Sequence, residues 1–574
     1  MGRESMLSSF VDAFHTFFTE CPNQRLAKGI DSDLGELPDP SLERSEARAS
    51  QAQVLLDRLQ QIERAPLGFD QNLDLDLARL MLEGEIGRQT LLLNGRPQRT
   101  QFPDAGEEIG DGIFLLMASD PRPPEMRLVD IRSRLEAVPE YLDRAIDRLE
   151  RPVARWVEIE IEKIDALPEL FAATVAFAEE IGWSNRGALE QAVATSRGAL
   201  GRYRGRLEEL ETTTRIHIGE QAARRLVKLR GIEQSLEELH GIAREFLAET
   251  RETLYDLRGR LAPKYGLDPN IPLAELHAFL NARFAVAQED DVSAPEPILE
   301  RYRAERARIV EFIRSRSLFE VFEDQEMKIM ATPSFLEPTI PAGAMMPPPP
   351  FRSGRRISLI YLTIKPDRLD DHTVLGIPGM MIHEGIPGHH LQHATAGLHP
   401  SVIRRHVNAS EHSEGWTTML EDYMLDMGYM GGLTDEARFT GKRDLSRIGA
   451  RVAIDLFLMT GERSFLDVGL DCDTSALDPF AAAGALLTAA TGFSPGRVRA
   501  ELNWYSQQRG YPLCYLTGNR LVWQMKEAAV RGPSGLSGLD LDRAFHKIYL
   551  EEGYMPLSFL RRVMVQKGLI SESL

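Results

Sequence analysis

Cysteine is scarce: the 574 residues hold three, Cys21, Cys472 and Cys514, far apart and without a C-x-x-C pair. That pattern excludes a disulfide framework and a cysteine-rich metal site, and it fits a reducing compartment. No run approaches the ~20 apolar residues needed to cross a bilayer. The opening "MGRESMLSSFVDAFHTFF" contains no apolar stretch of signal-peptide length, and Met6 stands where a myristoylation signal wants Ser or Thr. Positive charge is in deficit too, 67 Lys and Arg against 86 Asp and Glu for a net −19. This argues against nucleic acid or anionic membrane as a main partner. The expectation is a soluble cytoplasmic protein.

What is abundant is helical pattern. From about Ser41 to Met330 the chain is dominated by Leu, Ala, Glu and Arg with apolar residues three and four apart, as in "SLERSEARASQAQVLLDRLQQIERA" and "QAARRLVKLRGIEQSLEELHGIAREFLAETRETLYDLRGRL". Breaks are expected at "APLGFD", "SDPRPPEM" and "APKYGLDPNIP", where Pro and Gly cannot continue a helix. Charged residues in these stretches read as solvated helix faces. Residues 333–356 then carry seven prolines and no helical period, followed by "ISLIYLTI", rich in β-branched and aromatic residues. This reads as a rigid loop on the rim of a cleft leading into one or a few strands, with a polyproline ligand for a partner domain as the alternative. The fold expected is mostly α: a large helical body with a deep cleft, long N-terminal amphipathic helices, and a small β element before the metal-binding helix. Residues 1–332 form the helical cleft wall and 333–574 the metal-binding catalytic region of one continuous body.

Eight of the 13 histidines lie between 372 and 412. His372, His393, His399, His406 and His412 read as surface or satisfied core residues. His383, Glu384, His389 and His390 are different, because the preceding apolar run "VLGIPGMMI" points to a buried segment. A buried patch of such groups is costly unless something satisfies it, and a metal ion is the simplest satisfier. "MIHEGIPGHHLQ" nearly spells H-E-x-x-H, in which two His one turn apart bind one zinc, but Pro387 stands where the second His belongs. In a straight helix residues i and i+6 point to opposite sides, and i and i+7 lie about 10 Å apart along the axis. Pro387-Gly388 supplies a distortion, so the helix can bulge by two residues and bring His389 beside His383, with His390 as the alternative ligand.

Zinc peptidases of this general kind take a third ligand, a Glu, from a second helix further along the chain. Glu414 follows His389 after 24 intervening residues, and Glu421, seven further on the same face, is placed to orient a ligand histidine. His383, His389 and Glu414 would hold one Zn2+ per chain and leave a position open for water, although manganese, cobalt or iron suit the same donors. Glu384 is the candidate general base, and Tyr511 and Tyr515 in "RGYPLCYLTG" are candidate donors to an oxyanion.

At these residues the sequence resembles the bacterial family called domain of unknown function 885, which looks like a distant relative of the thimet-oligopeptidase and angiotensin-converting-enzyme type of zinc peptidases. Five motifs carry the resemblance: "HEGIPGHHLQ", "EGW" with a later Glu (Glu414 to Glu421), an R-x-x-x-D pair (Arg451, Asp455), a Tyr-x-x-Gly (Tyr515, Gly518), and the closing "FHKIYLEEGYMPLSFL". Membership implies a mostly α-helical body with a deep cleft, a zinc at its base, and peptidase-type hydrolysis. The match departs from the family pattern at Arg509-Gly510-Tyr511, where Pro-Gly-Gln is expected, and at Leu458-Met459, where a His usually follows the R-x-x-x-D pair. Those departures imply changed specificity or reduced activity.

The reading is therefore a zinc-dependent hydrolase that cleaves peptide or other amide bonds of short peptides or small amide-containing substrates. Two alternatives stand beside it: a zinc-dependent lyase or tailoring enzyme acting on a small metabolite, and an inactive peptide-binding pseudoenzyme.

Overall fold

The structure is a computed structural model that describes residues 3–289, 294–333, 340 and 343–572. It is mostly α-helical with a few short strands. The chain forms two compact units. The first comprises residues 1–218, 332–354 and 400–406, and the second 219–331, 355–399 and 407–574.

The first unit is built from long helices whose apolar residues recur every three or four positions. Among them are Leu42–Gln60, Phe69–Gln89, Ala105–Ala118, Pro124–Asp147, Ala154–Glu180 and Arg186–Glu209. Helix breaks fall at 61–68 and 119–123, where the Pro- and Gly-bearing segments predict them. Ser41 caps its helix by accepting the Arg44 N–H at 3.2 Å. Phe14, Leu82, Ile113, Leu135, Trp156 and Phe171 are fully buried in this unit's core. The carboxyl group of Glu160 is fully buried there as well, and its Oε1 accepts the Gly106 N–H at 2.8 Å and the Tyr203 hydroxyl at 3.2 Å. Glu160 Oε2 finds no hydrogen-bond partner among the described residues. Burial pushes this carboxyl up to about 7.

In the second unit the stretch expected as one amphipathic run at 221–261 is two helices, Glu220–Leu229 and Leu236–Lys264. Gly231, at φ +80°, turns the chain between them, and a capping box of Ser235 and Glu238 starts the second. A strand at Gln325–Ala331 also stands inside the segment read as helical. Its Met327 and Ile329 are buried while Lys328 is exposed, the alternation of a strand. It pairs in parallel with Arg356–Leu362, from Gln325 opposite Arg356 to Ala331 opposite Leu362. The strand expected at "ISLIYLTI" is thus present. Of the proline-rich stretch before it, 334–339 and 341–342 lie outside the described residues, and Gly343–Met346 is a short strand.

Six helices of this unit hold the residues of the candidate site and its surroundings: α1 (Gly376–Glu384), α2 (His389–Ala396), α3 (Ser410–Asp426), α4 (Thr434–Thr460), α5 (Pro495–Gln507) and α6 (Cys514–Val530). Helices α3 and α6 cross in backbone contact. A Cβ on Gly415 would lie 2.5 Å from the Gly518 carbonyl carbon, and one on Gly518 would lie 2.1 Å from the Glu411 carbonyl oxygen. Only glycine fits at either position, which accounts for the Gly of E-G-W and of Tyr-x-x-Gly.

Candidate metal centre

The interrupted motif resolves as a break rather than a bulge. Helix α1 ends at Glu384, where the Gly385 N–H bonds the Met381 carbonyl at 3.0 Å. Helix α2 begins at His389, with the His390 N–H on the Gly385 carbonyl at 3.1 Å and the Gln392 N–H on the Gly388 carbonyl at 3.0 Å. Residues 385–388 form the turn between them, and the Ile386–Pro387 peptide bond is cis. A Cβ on Gly388 would sit 2.0 Å from the His383 carbonyl oxygen, so the second glycine is what lets α2 fold back this tightly. The indole Nε1–H of buried Trp416, on α3, donates to the Pro387 carbonyl at 2.9 Å and ties the turn to the helix that carries Glu414.

The fold-back sets the rings of His383 and His389 edge to face, with centroids 5.0 Å apart. His383 Nε2 and His389 Nε2 each lie 3.6 Å from Glu414 Oε2. The three ligand atoms fall within 4.8 Å of one another. Tetrahedral bonds of zinc length place neighbouring ligand atoms about 3.3 Å apart, so the spacing suits one ion. Each imidazole has its other nitrogen engaged. His383 Nδ1 meets Glu421 Oε1 at 2.8 Å, and His389 Nδ1 meets the Ser413 hydroxyl at 3.3 Å. With Nδ1–H donating outward, both Nε2 lone pairs face the common point.

Glu414 shows that a cation suits the site. It is 8 % exposed, and its Oε2 finds no hydrogen-bond partner among the described residues although it faces two imidazole nitrogens. A buried carboxylate oxygen left so is costly unless a cation completes it. The electrostatics agree. Burial alone would lower His383, yet the carboxylates of Glu414, Glu421 and Glu384 carry it up to about 10. Burial likewise would raise Glu414, but His383 and His389 hold it well below the usual carboxylate range. The pocket therefore favours positive charge, and two imidazoles with one carboxylate are a donor set for a divalent ion.

The remaining candidates divide. Glu384 is half-buried at the end of α1, beside His383. Glu421 sits on His383, as an orienting carboxylate would. His390, the alternative ligand, is fully buried with Nδ1 on the Ser358 hydroxyl at 2.7 Å and Nε2 on Gln325 Oε1 at 2.6 Å. Both of its nitrogens are spent joining α2 to the two parallel strands, and burial keeps it neutral, lowered to about 4. Tyr511 donates its hydroxyl to Glu414 Oε1 at 3.0 Å, and Tyr515 Oη lies 3.4 Å from Tyr511 Oη. Half-buried His372 bonds the Tyr302 hydroxyl at 3.0 Å, and His412 is a core histidine bonded to the Met555 carbonyl at 2.9 Å.

Sequence reasoning missed Ser413 and the pair Ser358 and Gln325, and it found Trp416 only as part of E-G-W, without its bond to the Pro387 carbonyl. For Ser413 a signal existed, since a ligand histidine needs a partner on its second nitrogen and Ser413 adjoins Glu414. The sequence offers no role for Arg451 and Asp455. The Arg451 guanidinium stacks 4.7 Å from the Tyr515 ring centroid and donates to the Tyr505 hydroxyl at 2.8 Å. Leu458 and Met459 are both buried on α4.

The fold and site define a helical protein with a two-histidine, one-carboxylate cluster spread over three helices. The chain belongs to the bacterial family described as "Bacterial protein of unknown function (DUF885)", whose family model matches residues 22–564. Two solved structures share the fold. One, from Shewanella oneidensis, is described as "a putative lipoprotein of unknown function"; it has a TM-score of 0.74 and 16 % identity, covering 98 % of this chain and 100 % of that one. The other, "the putative lipoprotein from Colwellia psychrerythraea", has a TM-score of 0.77 and 16 % identity, covering 99 % of both chains. No curated protein matches the chain.

Proposed function

We propose that the protein is a zinc-dependent, metallopeptidase-like hydrolase that cleaves peptide or other amide bonds of small substrates. One observation carries the reading: the buried Glu414 Oε2, without a hydrogen-bond partner among the described residues, lies 3.6 Å from each of two Nε2 atoms whose rings are held from behind by Glu421 and Ser413. His383, His389 and Glu414 would hold the ion. A divalent cation there supplies positive charge that brings the pKa of water towards ~7 and polarises a carbonyl. Glu384, next in sequence to His383, takes the proton as water attacks and returns it to the leaving amine. Tyr515 donates its phenol to the oxygen that becomes negative. Glu421 and Ser413 keep both imidazoles in the tautomer that presents Nε2. Short peptides are favoured by analogy to related helical zinc peptidases, whose walls exclude folded proteins.

The test combines elemental metal content with turnover of a library of short peptides and amides, for wild type and Glu384→Gln. Expected are about one zinc per chain in both and cleavage by wild type alone. Bound zinc with turnover of a small metabolite and none of peptides would replace hydrolysis by a lyase or tailoring reaction. A wild type that takes up no divalent ion would sink the proposal.

A further inference from the structure

Tyr511 stands next to the site, but its hydroxyl is not free to serve a reacting oxygen: it donates to Oε1 of Glu414, the oxygen opposite the one that faces the two imidazoles. A phenol in that position fixes the carboxylate torsion and holds Oε1 back, so that Oε2 alone is presented.

What places the phenol is the turn 508–513. The Tyr511 N–H bonds the Gln508 carbonyl at 2.9 Å, and Pro512 has no N–H. The flanking Gly510 and Leu513 N–H groups go to the two oxygens of one side chain, Asp455, at 3.1 and 3.2 Å. Asp455 is fully buried on α4, one turn beyond Arg451. Gly510 adopts φ +77°, and a Cβ there would lie 2.5 Å from the Leu226 side chain, so the turn is walled on its other side as well. The Trp504 ring meets the Tyr511 ring edge to face at 5.2 Å and limits its swing.

We infer that Asp455, the turn it brackets and Tyr511 form a brace that positions Glu414 for the ion, so that metal affinity depends on a carboxylate that is not itself a ligand. Asp455 and Tyr511 are positioning residues, and Tyr515 is the phenol left for the substrate. The inference rests on the metal reading of the site. It also assigns a role to Asp455 of the Arg451–Asp455 pair and to Tyr511.

The test is the zinc affinity of metal-stripped protein, measured by competition with a chromophoric chelator, for wild type, Tyr511→Phe, Tyr515→Phe, Asp455→Asn and the double variant Asp455→Asn/Tyr511→Phe. Tyr511→Phe and Asp455→Asn should each weaken zinc about 10- to 100-fold, as loss of an outer-shell partner does. The double variant should be within about twofold of the weaker single one, because both act through one hydrogen bond, and Tyr515→Phe should stay within about twofold of wild type. Should Asp455→Asn fail to fold, Gly510→Ala perturbs the same turn and is expected to weaken zinc likewise. Wild-type affinity in Tyr511→Phe, or a double variant whose loss is the product of the two single losses, would overturn the brace while leaving the metal site standing. A wild type that binds no zinc would overturn the metal reading and the brace with it.

Discussion

Replacing His389 and His390 one at a time by alanine separates a ligand from a structural histidine, because the two neighbours face different surroundings. His390 is wholly buried, and its ring joins Ser358 and Gln325. Removing it strands a buried hydroxyl and an amide oxygen, each worth about 1–3 kcal/mol when unsatisfied, and leaves a cavity. His390→Ala should therefore cost about 3–5 kcal/mol of stability and still bind about one zinc per chain when folded. His389 has one weak outward bond, at 3.3 Å to Ser413, and otherwise faces Glu414. His389→Ala also removes a buried ring that faces the Glu414 carboxylate, so it should cost the metal-free protein about 1–3 kcal/mol, less than His390→Ala, and abolish zinc uptake. The assay pairs elemental mass spectrometry of zinc-supplied protein with urea unfolding of the metal-free form. Zinc lost from His390→Ala and kept by His389→Ala would refute the assignment of ligand and anchor.

Three further outcomes are expected. Glu384→Gln should keep its zinc and lower turnover about 10²- to 10⁴-fold, the usual share of a general base; loss of the metal would make Glu384 a ligand. In Gly388→Ala the new Cβ meets the His383 carbonyl oxygen at 2.0 Å, which displaces His389 and should weaken zinc at least about tenfold; unchanged affinity would mean the turn relaxes freely. Glu160 has its folded pKa raised to about 7, against 4.5 for an exposed carboxyl, so the folded state holds the proton more tightly than the unfolded chain. Its contribution is constant below about pH 4.5, falls by about 3 kcal/mol as pH rises to about 7, and is constant above. Glu160→Gln should remove that loss, so urea unfolding at pH 5 and pH 8 should show a smaller drop in the variant; parallel drops would refute the raised pKa.

Much of this was legible in the sequence. The period of three and four residues marked the long helices. Pro and Gly marked the breaks at 61–68, 119–123 and 265–272. Burial of the His383 segment followed from its apolar lead. Less legible were features whose signal is short or competes with another. The strand Gln325–Ala331 has seven residues, too few for its alternation to stand out after a long helical region. The turn at Gly231 was hidden by helical composition on both sides, although Ser235 and Glu238 spell a capping box.

The sequence by itself determined which groups are available: His383, Glu384, His389, His390 and Glu414 at spacings that a distorted helix pair can gather, in a chain with almost no cysteine to offer another kind of site. Only the tertiary structure decided how they divide. Adjacent helical residues point about 100° apart, so one of His389 and His390 turns to Glu414 and the other away. Which one turns is set by partners remote in the chain, Gln325 and Ser358 behind His390 and Ser413 behind His389. The same holds for Glu414 and Tyr511, 97 positions apart, which meet because Gly415 and Gly518 let two helices touch backbone to backbone. Local spacing fixes the direction of a side chain relative to its own helix, whereas its partner depends on the packing of helices against one another, which no local pattern encodes.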